Sequence, residues 1–423
     1  MTLTRAAIIA VGSELLTPLR IDTNSLFVTG KLNALGIDVV MKGVAGDDRE
    51  EVAHLFRTAL ARADLVVFTG GLGPTDDDVT REAVAATLGR QLSEDVAITE
   101  RMRARFAARG YKGPMPEINR RQAMVPAGAV VIENARGSAP GLWLEDGHKV
   151  ILLLPGPPRE LHPMLEALVA GPLQGRGGGA PLIRRVLKIA GRIESQTDEV
   201  LQPLYREWEQ ATPRISATIL AALGQIELHL WARDPSAETA RMKLEHAVKQ
   251  VCAVLGEDVF TTSGEPMEAV VGGLLVSRGY RIALAESCTG GIVTSRLTDV
   301  PGSSRYVDRA VVVYANEAKT DLLGVPPALI EAHGAVSEPV AVAMAEGVRT
   351  RAAVDVGIGV TGIAGPDGGT AEKPVGTVAI AAVIGATRNV RTFRFHGERE
   401  QVKFQASQAA LDMVRRMLLS EVR

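Results

Sequence analysis

The sequence predicts an α/β protein, in which a small α+β domain separates two larger domains built on parallel sheets. Short apolar runs rich in β-branched residues alternate with helix-length segments in both outer parts of the chain, a pattern typical of parallel sheets covered by helices. A glycine-rich stretch at residues 174–179 interrupts the first series and indicates a linker. The length of 423 residues exceeds what one hydrophobic core supports.

The first domain is expected over residues 1–172, with strands at 6–11, 38–44, 65–69 and 150–154 and helices that include 49–63 and 80–88. A middle domain is expected over residues 182–256. Its pattern predicts a strand at 184–190, a helix at 195–210, strands at 214–217 and 225–231, and a helix at 237–255.

The third domain is expected over residues 267–423 and returns to the alternating pattern. It begins with a helix at 267–278, continues with strands at 281–285, 307–314, 354–360 and 376–383, and closes with a helix from 401 to about 419. The sequence contains neither an internal repeat nor a low-complexity tract, so repeat architectures are excluded.

Composition excludes several classes of function. The formal net charge is −2, so the chain lacks the basic balance of nucleic-acid-binding proteins, and no nucleic-acid partner is predicted. The two cysteines, Cys252 and Cys288, cannot form a disulfide framework and suit a reducing compartment. No segment approaches the ~20 apolar residues of a membrane helix, so we expect a cytoplasmic protein without membrane contact.

The sharpest chemical motif is the segment 283–291, ALAESCTGG, which follows an apolar strand and opens a helix. Such a turn places Ser287 beside backbone N–H groups that stabilise an oxyanion or hold a phosphate. A plainer interpretation is that Ser287 or Thr289 is only the N-cap of the helix. Cys288 is a rival nucleophile, but the sequence offers it no histidine partner in a fitting context.

Two further segments of this domain favour catalysis. Tyr314 and Lys319 lie in VYANEAK at the end of the next strand, where functional residues of α/β sheets collect. A lysine whose pKa is lowered by burial serves as the base for a serine, and a tyrosine relays the proton. The alternatives are a solvated lysine and a tyrosine that packs at a strand end. The loop 359–369, GVTGIAGPDGG, adds glycines and the hydroxyl of Thr361.

The first domain contains a second candidate site in the segment 69–80, TGGLGPTDDDVT. Its glycines offer backbone donors for phosphate, and its three aspartates offer oxygen ligands for a divalent metal. Asp47 follows a neighbouring strand and could add a carboxylate. The segment therefore predicts a metal-bridged phosphate site, and the alternative is an acidic turn that caps the next helix.

In this order, AESCTGG, YANEAK, GVTGIAGPDGG and the later GER at 397–399 resemble the nicotinamide-nucleotide amidohydrolase domain of CinA and PncC proteins. The resemblance implies that Ser287 attacks the carboxamide of nicotinamide mononucleotide, that Lys319 is the base and that Tyr314 assists, with no cofactor. The substrate-binding residues that it implies are Thr289, Gly290, Asn316, Thr361, Gly362 and Arg399. Ala315 and Lys403 depart from the serine and the arginine expected there.

The first domain resembles the molybdopterin-binding (MoCF) fold through VGSELL, DTNS, TGGLGPTDDDVT, NARGSAPG and PGPPREL, in the form found at the N-terminus of CinA proteins. The implied activity is an ADP-ribose pyrophosphatase that uses Mg²⁺, Mn²⁺ or Co²⁺. The implied ligand-binding residues are Gly70, Gly71, Gly73 and Thr75, and the implied metal ligands are Asp47, Asp77 and Asp78. The middle domain resembles the KH-like domain of full-length CinA proteins but lacks a G-x-x-G loop.

Three hypotheses therefore stand at the level of the sequence. The first is a bifunctional, homodimeric enzyme whose partners are the small nucleotides nicotinamide mononucleotide and ADP-ribose. The second is an amidase whose N-terminal domain is a non-catalytic nucleotide or pterin binder. The third is a non-catalytic scaffold linked to DNA uptake or repair.

Overall fold

The computed structural model describes residues 2–108, 110 and 113–420, which divide into two compact units. The first unit consists of residues 1–183 together with 233–241, and the second of residues 184–232 together with 242–423. The predicted division into three domains remains a prediction. None of the described helices is long and apolar enough to cross a membrane.

The first unit is built on a six-stranded sheet with the strand order β2-β1-β3-β8-β7-β6. Its strands are β1 Arg5–Val11, β2 Asp38–Ala45, β3 Leu65–Thr69, β6 Val130–Ile132, β7 Gly141–Asp146 and β8 Lys149–Leu154, with β4 Leu92–Glu94 and β5 Met124–Pro126 in a separate pair. Its helices are α1 Asn24–Ala34, α2 Arg49–Arg62, α3 Thr80–Thr87, α4 Val96–Ala108 and α5 Pro158–Ala170, with 3-10 turns at Ser13–Leu16 and Glu117–Ala123.

Strands β1, β2, β3 and β8 are parallel, as the alternating pattern predicts, and β1 and β3 are almost wholly buried. Burial on both faces explains their continuous apolar sequences. Strands β7 and β6 extend the sheet in antiparallel fashion and were not predicted. The carboxyl ends of β1, β2, β3 and β8 lead into residues 12, 46, 70 and 155, so the segments that follow the four strands meet at one edge of the sheet.

The second unit begins with a four-stranded sheet in the order β10-β11-β9-β12. Its strands are β9 Leu182–Ile189, β10 Ile215–Ala222, β11 Gln225–Arg233 and β12 Val259–Thr261, and its helices are α6 Glu194–Gln210 and α7 Ala237–Leu255, followed by a 3-10 turn at Gly256–Asp258. The ends of β9, β11 and α7 at residues 182–183, 233 and 237–241 are assigned to the first unit. Trp208 of α6 is buried, and its indole N–H donates to Gln250 of α7 at 2.8 Å. The predicted α+β character is confirmed, but β10 is longer than the predicted strand 214–217.

The remainder of the second unit contains a five-stranded sheet in the order β14-β13-β15-β16-β17. Its strands are β13 Ile282–Glu286, β14 Val307–Val312, β15 Val356–Gly362, β16 Thr377–Ile384 and β17 Thr387–Arg394. Its helices are α8 Met267–Arg278, α9 Ile292–Thr298, α10 Asn316–Leu323, α11 Pro327–His333, α12 Glu338–Ala352 and α13 Arg399–Ser420, with a 3-10 turn at Ser303–Arg305.

The three strands β13, β14 and β15 are parallel, and β16 and β17 continue the sheet in antiparallel fashion. Helices α8 and α13 pack on one face, where the largest apolar cluster of this unit lies, and α12 packs on the other. The carboxyl ends of the parallel strands carry Ser287, Tyr314 and Thr361 to the same edge of the sheet. The predicted α/β fold of this part is confirmed.

Candidate active sites

A cavity of about 170 Å³ lies at the carboxyl edge of the second-unit sheet. Most of the predicted residues line it, and the complete lining consists of Ser287, Cys288, Tyr314, Asn316, Lys319, Ala335, Val336, Thr361, Gly362 and Ala364. Three separate sequence motifs are therefore brought together. Arg399 reaches the same rim, because its guanidinium donates to the hydroxyl of Tyr314 at 2.9 Å and to the carbonyl of Gly365 at 2.6 Å.

Lys319 is buried beside Ser287. The residue is only 1% exposed, and its Nζ lies 3.5 Å from Oγ of Ser287. The Nζ also donates to the carbonyls of Val313, Tyr314 and Ala315, at 3.1 to 3.5 Å. Burial lowers the pKa of Lys319 from its ordinary value of 10.5, because desolvation penalises the charged form. The interpretation of Lys319 as a solvated surface lysine is wrong.

The turn that carries Ser287 is held by Glu286, a residue that the sequence analysis missed. Its buried carboxylate accepts hydrogen bonds from the backbone N–H groups of Gly291, Val293 and Thr294 and from the hydroxyl of Thr294, at 2.6 to 3.2 Å. These N–H groups belong to the first turn of α9, where a negative charge is favoured. Neither Ser287 nor Thr289 caps this helix, so the N-cap interpretation is wrong.

Arg296 fixes α9 to the helix that carries Arg399. Its guanidinium pairs with Glu268 of α8 at 2.6 Å and donates to Ser407 and Gln408 of α13 at 2.8 and 2.6 Å. Arg296 is itself buried, so its guanidinium links the three helices α8, α9 and α13 in the interior. Arginine at this position was not identified from the sequence, since all of its partners lie far away along the chain.

The remaining predicted residues of this site differ in their accessibility. Thr361 is buried and donates to the carbonyl of Ala335 at 2.8 Å. Thr289 is also buried, its hydroxyl has no hydrogen-bond partner, and it is not among the residues that line the cavity. Tyr314 is 61% exposed, so it is not a packing residue of the strand end. Lys403 lies near Gly290, since a Cβ built there would be 3.5 Å from its Nζ.

Cys288 is buried among the apolar core residues next to Ser287. Burial raises the pKa of its thiol to about 12, although the backbone N–H groups of Cys288 and Thr289 lower it. A thiol with so high a pKa is almost entirely protonated at neutral pH and is a poor nucleophile. The buried, protonated thiol of Cys288 is therefore a weaker candidate for the nucleophile than the hydroxyl of Ser287.

A second cavity, of about 810 Å³, lies at the carboxyl edge of the first-unit sheet. Its lining includes Gly70, Gly71, Gly73, Asp47, Asp77 and Asp78 among the predicted residues. The charged residues that line it are six acidic side chains and one arginine: Glu14, Asp22, Asp47, Asp77, Asp78, Glu160 and Arg20. A strongly acidic cavity repels a phosphate unless a cation is bound with it.

Asp78 holds its own loop together. Its carboxylate accepts hydrogen bonds from the N–H of Gly73 at 2.6 Å and from the N–H and hydroxyl of Thr75 at 2.9 and 2.7 Å. A side chain at Gly73 would collide with this carboxylate, at 2.3 Å from a Cβ. The buried Arg81 supports the loop from behind by donating to the carbonyls of Leu72 and Gly73.

The other two predicted metal ligands are less engaged. Asp47 exchanges hydrogen bonds with Ser13, whose N–H donates to its carboxylate at 2.9 Å, and the carboxylate of Asp77 is exposed. Within the described residues, no three side chains of His, Cys, Asp or Glu are grouped to hold a metal ion. The residues present therefore suit Mg²⁺ only as a jointly held ion, bound by one or two carboxylates and by phosphate oxygens of the ligand. The N-cap residue of α3 is Val79, which makes no capping hydrogen bond, while Asp76 pairs with Arg121 and Asp78 binds its own loop.

The fold and these cavities define a protein of two α/β units, each with a polar cavity at the carboxyl ends of parallel strands. A family model described as the CinA C-terminal domain matches residues 264–418, and one described as a probable molybdopterin binding domain matches residues 7–175. The CinA-like proteins of Koribacter versatilis and Acidobacterium capsulatum are each 46% identical, over 98% of this chain and all of their own length. The chain therefore belongs to the CinA family.

Two solved structures are similar to part of this chain. The protein CinA of Thermoplasma acidophilum is 33% identical over 40% of this chain and 99% of its own, with a TM-score of 0.38. The competence damage-inducible protein A of Klebsiella pneumoniae is 34% identical over 36% of this chain and 95% of its own, with a TM-score of 0.36. Neither family model covers the middle segment, so its KH-like character remains a prediction.

If Glu286 fixes the turn at Ser287, removing its charge will loosen this region. We expect Glu286→Gln to reduce the free energy of unfolding of the second unit by about 2–4 kcal/mol, because the buried N–H groups lose a charged acceptor. Unfolding in denaturant measures this change, and hydrogen exchange locates it at Gly291, Val293 and Thr294. The exposed Glu331 of α11 provides the control, since Glu331→Gln should change stability by under about 0.5 kcal/mol. Equal effects of the two substitutions would contradict the assignment.

Proposed function

We propose that the second unit hydrolyses the carboxamide of nicotinamide mononucleotide to nicotinic acid mononucleotide and ammonia. The observation that carries this proposal is the buried amine of Lys319 at 3.5 Å from the hydroxyl of Ser287. A serine is weakly nucleophilic until a neighbouring base removes its proton, and a desolvated lysine is such a base. The motif order supports the nucleotide as the substrate class.

The reaction proceeds in two stages. Neutral Lys319 accepts the proton as Oγ of Ser287 attacks the carboxamide carbon, and the carbonyl oxygen becomes an oxyanion. Lys319 then donates that proton to the departing nitrogen, which leaves as ammonia, and an ester with Ser287 remains. Water attacks this ester while Lys319 accepts its proton. Lys319 then donates that proton to Oγ of Ser287 as the ester bond breaks, which releases nicotinic acid mononucleotide and restores the serine hydroxyl.

The cavity rim supports recognition of the nucleotide phosphate. Arg399 offers a guanidinium that is already oriented by Tyr314 and Gly365, and Lys403 adds an ammonium beside Gly290. Arginine binds a phosphate through two parallel N–H groups, whereas lysine acts as a point charge. In this proposal Tyr314 orients Arg399 and closes the side of the cavity.

We also propose that the first unit is a metal-dependent ADP-ribose pyrophosphatase. The observation that favours it is the acidic cavity of about 810 Å³ beside the loop at residues 70–73. Asp47 and Asp77 would hold a divalent cation together with the pyrophosphate. A bound cation would supply charge neutralisation and a more acidic water. The alternative is a non-catalytic first unit that binds nucleotides or pterins.

Replacement of Ser287 tests the nucleophile. We expect Ser287→Ala to lower the rate of ammonia release from nicotinamide mononucleotide by about 10³-fold or more, because the covalent step is lost. Cys288→Ser should retain activity within about tenfold, since the thiol is not used in the mechanism. Enzyme-coupled ammonia detection measures both variants, with circular dichroism as the folding control. The reverse order of activities would identify Cys288 as the nucleophile, and an inactive wild-type protein would remove the proposal.

The pH profile tests the base. Lys319 is active when deprotonated, so kcat/KM should fall as the pH drops through its pKa, which lies below 10.5. The negative charge of Glu317 raises this pKa, and Glu317→Gln should therefore move the acidic limb to lower pH. Initial rates between about pH 5 and 10 measure the shift. A limb that does not move, or that moves to higher pH, would argue against Lys319 as the base.

Metal removal tests the first unit. We expect ADP-ribose hydrolysis to require Mg²⁺, Mn²⁺ or Co²⁺, to stop in EDTA and to fall by about 10²-fold or more in Asp47→Asn. Asp76 lies in the same acidic segment but pairs with Arg121 outside the cavity lining, so Asp76→Asn should stay within about threefold. Chromatography of AMP and ribose 5-phosphate measures turnover. Absence of turnover with every metal would leave the non-catalytic alternative.

A further inference from the structure

The cavity of the second unit is too small to enclose a whole nucleotide. Its volume is about 170 Å³, whereas cavities that enclose a ligand of that size measure about 300–1,000 Å³. Ser287 and Lys319 line the cavity, and Arg399 lies at its rim. In the proposed reaction, the pyridine ring and its carboxamide therefore enter the cavity, while the phosphate stays outside. The lining of the cavity must hold the ring.

Two loop segments contribute apolar residues to this lining. Ala335 and Val336 belong to the connection between α11 and α12, which consists of residues 334–337. Ala364 belongs to the loop between β15 and β16, which consists of residues 363–376. Because the two segments lie in different parts of the chain, the width of the cavity depends on the contacts that join them.

The β15–β16 loop is fastened at its base and at the cavity rim. The N–H of Ile363 donates to the carbonyl of Thr377, and the N–H of Gly376 donates to the carbonyl of Ile363, both at 2.8 Å. The guanidinium of Arg399 donates to the carbonyl of Gly365 at 2.6 Å. Residues 366–372 are exposed, so these contacts alone do not set the distance between the loop and the α11–α12 connection.

Lys373 joins the two segments directly. Its Nζ donates to the carbonyl of His333, the last residue of α11, at 2.8 Å. A carbonyl at the end of a helix lacks a partner within the helix, and a positive charge is favoured there. A tight turn directs the lysine, since the N–H of Thr370 donates to the carbonyl of Lys373 and the N–H of Lys373 donates to Oγ1 of Thr370.

The α11–α12 connection is built to receive this contact. Oγ1 of Thr361, at the end of β15, donates to the carbonyl of Ala335 at 2.8 Å. The backbone of Gly334 has a φ of +74°, and a Cβ there would lie 3.2 Å from Nζ of Lys373. Glycine at this position therefore leaves room for the ammonium. The carbonyls of residues 333 and 335 are thus both held from β15 and the loop that follows it.

We propose that Lys373 is a positioning residue, which holds the α11–α12 connection to the β15–β16 loop so that the cavity encloses the pyridine ring of the substrate. This inference rests on the proposed amidase function. Lys373 is not among the residues that line the cavity, so it acts through Ala335, Val336 and Ala364. Loosening these residues weakens binding of the ring equally in the ground state and the transition state, which raises KM and leaves kcat unchanged.

Steady-state kinetics of the full chain with nicotinamide mononucleotide tests this role. We expect Lys373→Met, which keeps the length of the side chain but removes its donor, to raise KM about tenfold while kcat stays within about threefold. Lys373→Arg restores a donor and should return KM to within about threefold of the wild-type value. Lys243 is exposed on α7, and Lys243→Met should change neither constant. Circular dichroism is the folding control for each variant.

Inhibition constants separate the ring from the phosphate. Nicotinic acid mononucleotide carries both groups, whereas ribose 5-phosphate carries only the phosphate. Lys373→Met should raise Ki of the first inhibitor about tenfold and change Ki of the second by under about twofold. An equal increase for both inhibitors would place the effect at Arg399, which binds the same loop, and would overturn the proposal.

The remaining outcomes separate this role from the amidase function. An unchanged KM in folded Lys373→Met, a loss confined to kcat, or equal defects in the Met and Arg variants would overturn the role of Lys373 and keep the amidase. A wild-type protein without turnover of nicotinamide mononucleotide would reject the amidase and the positioning role together.

Discussion

The buried carboxylate of Glu286 ties the end of a central strand to the start of α9, and the second-unit site depends on this contact. The carboxylate accepts hydrogen bonds from three N–H groups at the start of this seven-residue helix, where N–H groups have no carbonyl partner within the helix. Without an acceptor they would need water, and the turn would have to open to admit it. Because Ser287 lies between the strand and these N–H groups, the contact holds the backbone on both sides of Ser287.

The burial of Lys319 is the second constraint. Three carbonyl oxygens in one turn accept from its Nζ, so the amine is solvated by the backbone rather than by water. This solvation holds the side chain beside Ser287, while desolvation favours the neutral form that a base requires. A carboxylate in place of these carbonyls would raise the pKa of the amine and keep it protonated at neutral pH, so that it could not accept a proton. Carbonyl dipoles raise the pKa less than a full negative charge does. The arrangement combines fixed geometry with a lowered pKa.

Much of the fold could be predicted from the sequence, because parallel strands that are buried on both faces have continuous apolar sequences. Residues 65–69 and 282–286 were located in this way to within about a residue. Strand β7 was missed because it ends in Glu145 and Asp146, so it lacks the apolar signal of a central strand. Glu286 was missed for the opposite reason, since nothing local marks a carboxylate whose partners are backbone groups. The aspartates at 76–78 looked equivalent, yet Asp76 pairs with Arg121, Asp77 is exposed and Asp78 binds its own loop.

In the proposed functions, the two cavities bind a phosphate in opposite ways. Arg399 and Lys403 flank the second-unit cavity, so in the proposed function the protein itself supplies positive charge toward an anionic nucleotide. The first-unit cavity has six carboxylate side chains against one arginine, and repulsion between like charges opposes the entry of an anion alone. In the proposed pyrophosphatase function, a divalent cation must therefore enter this cavity together with the phosphate groups of the ligand.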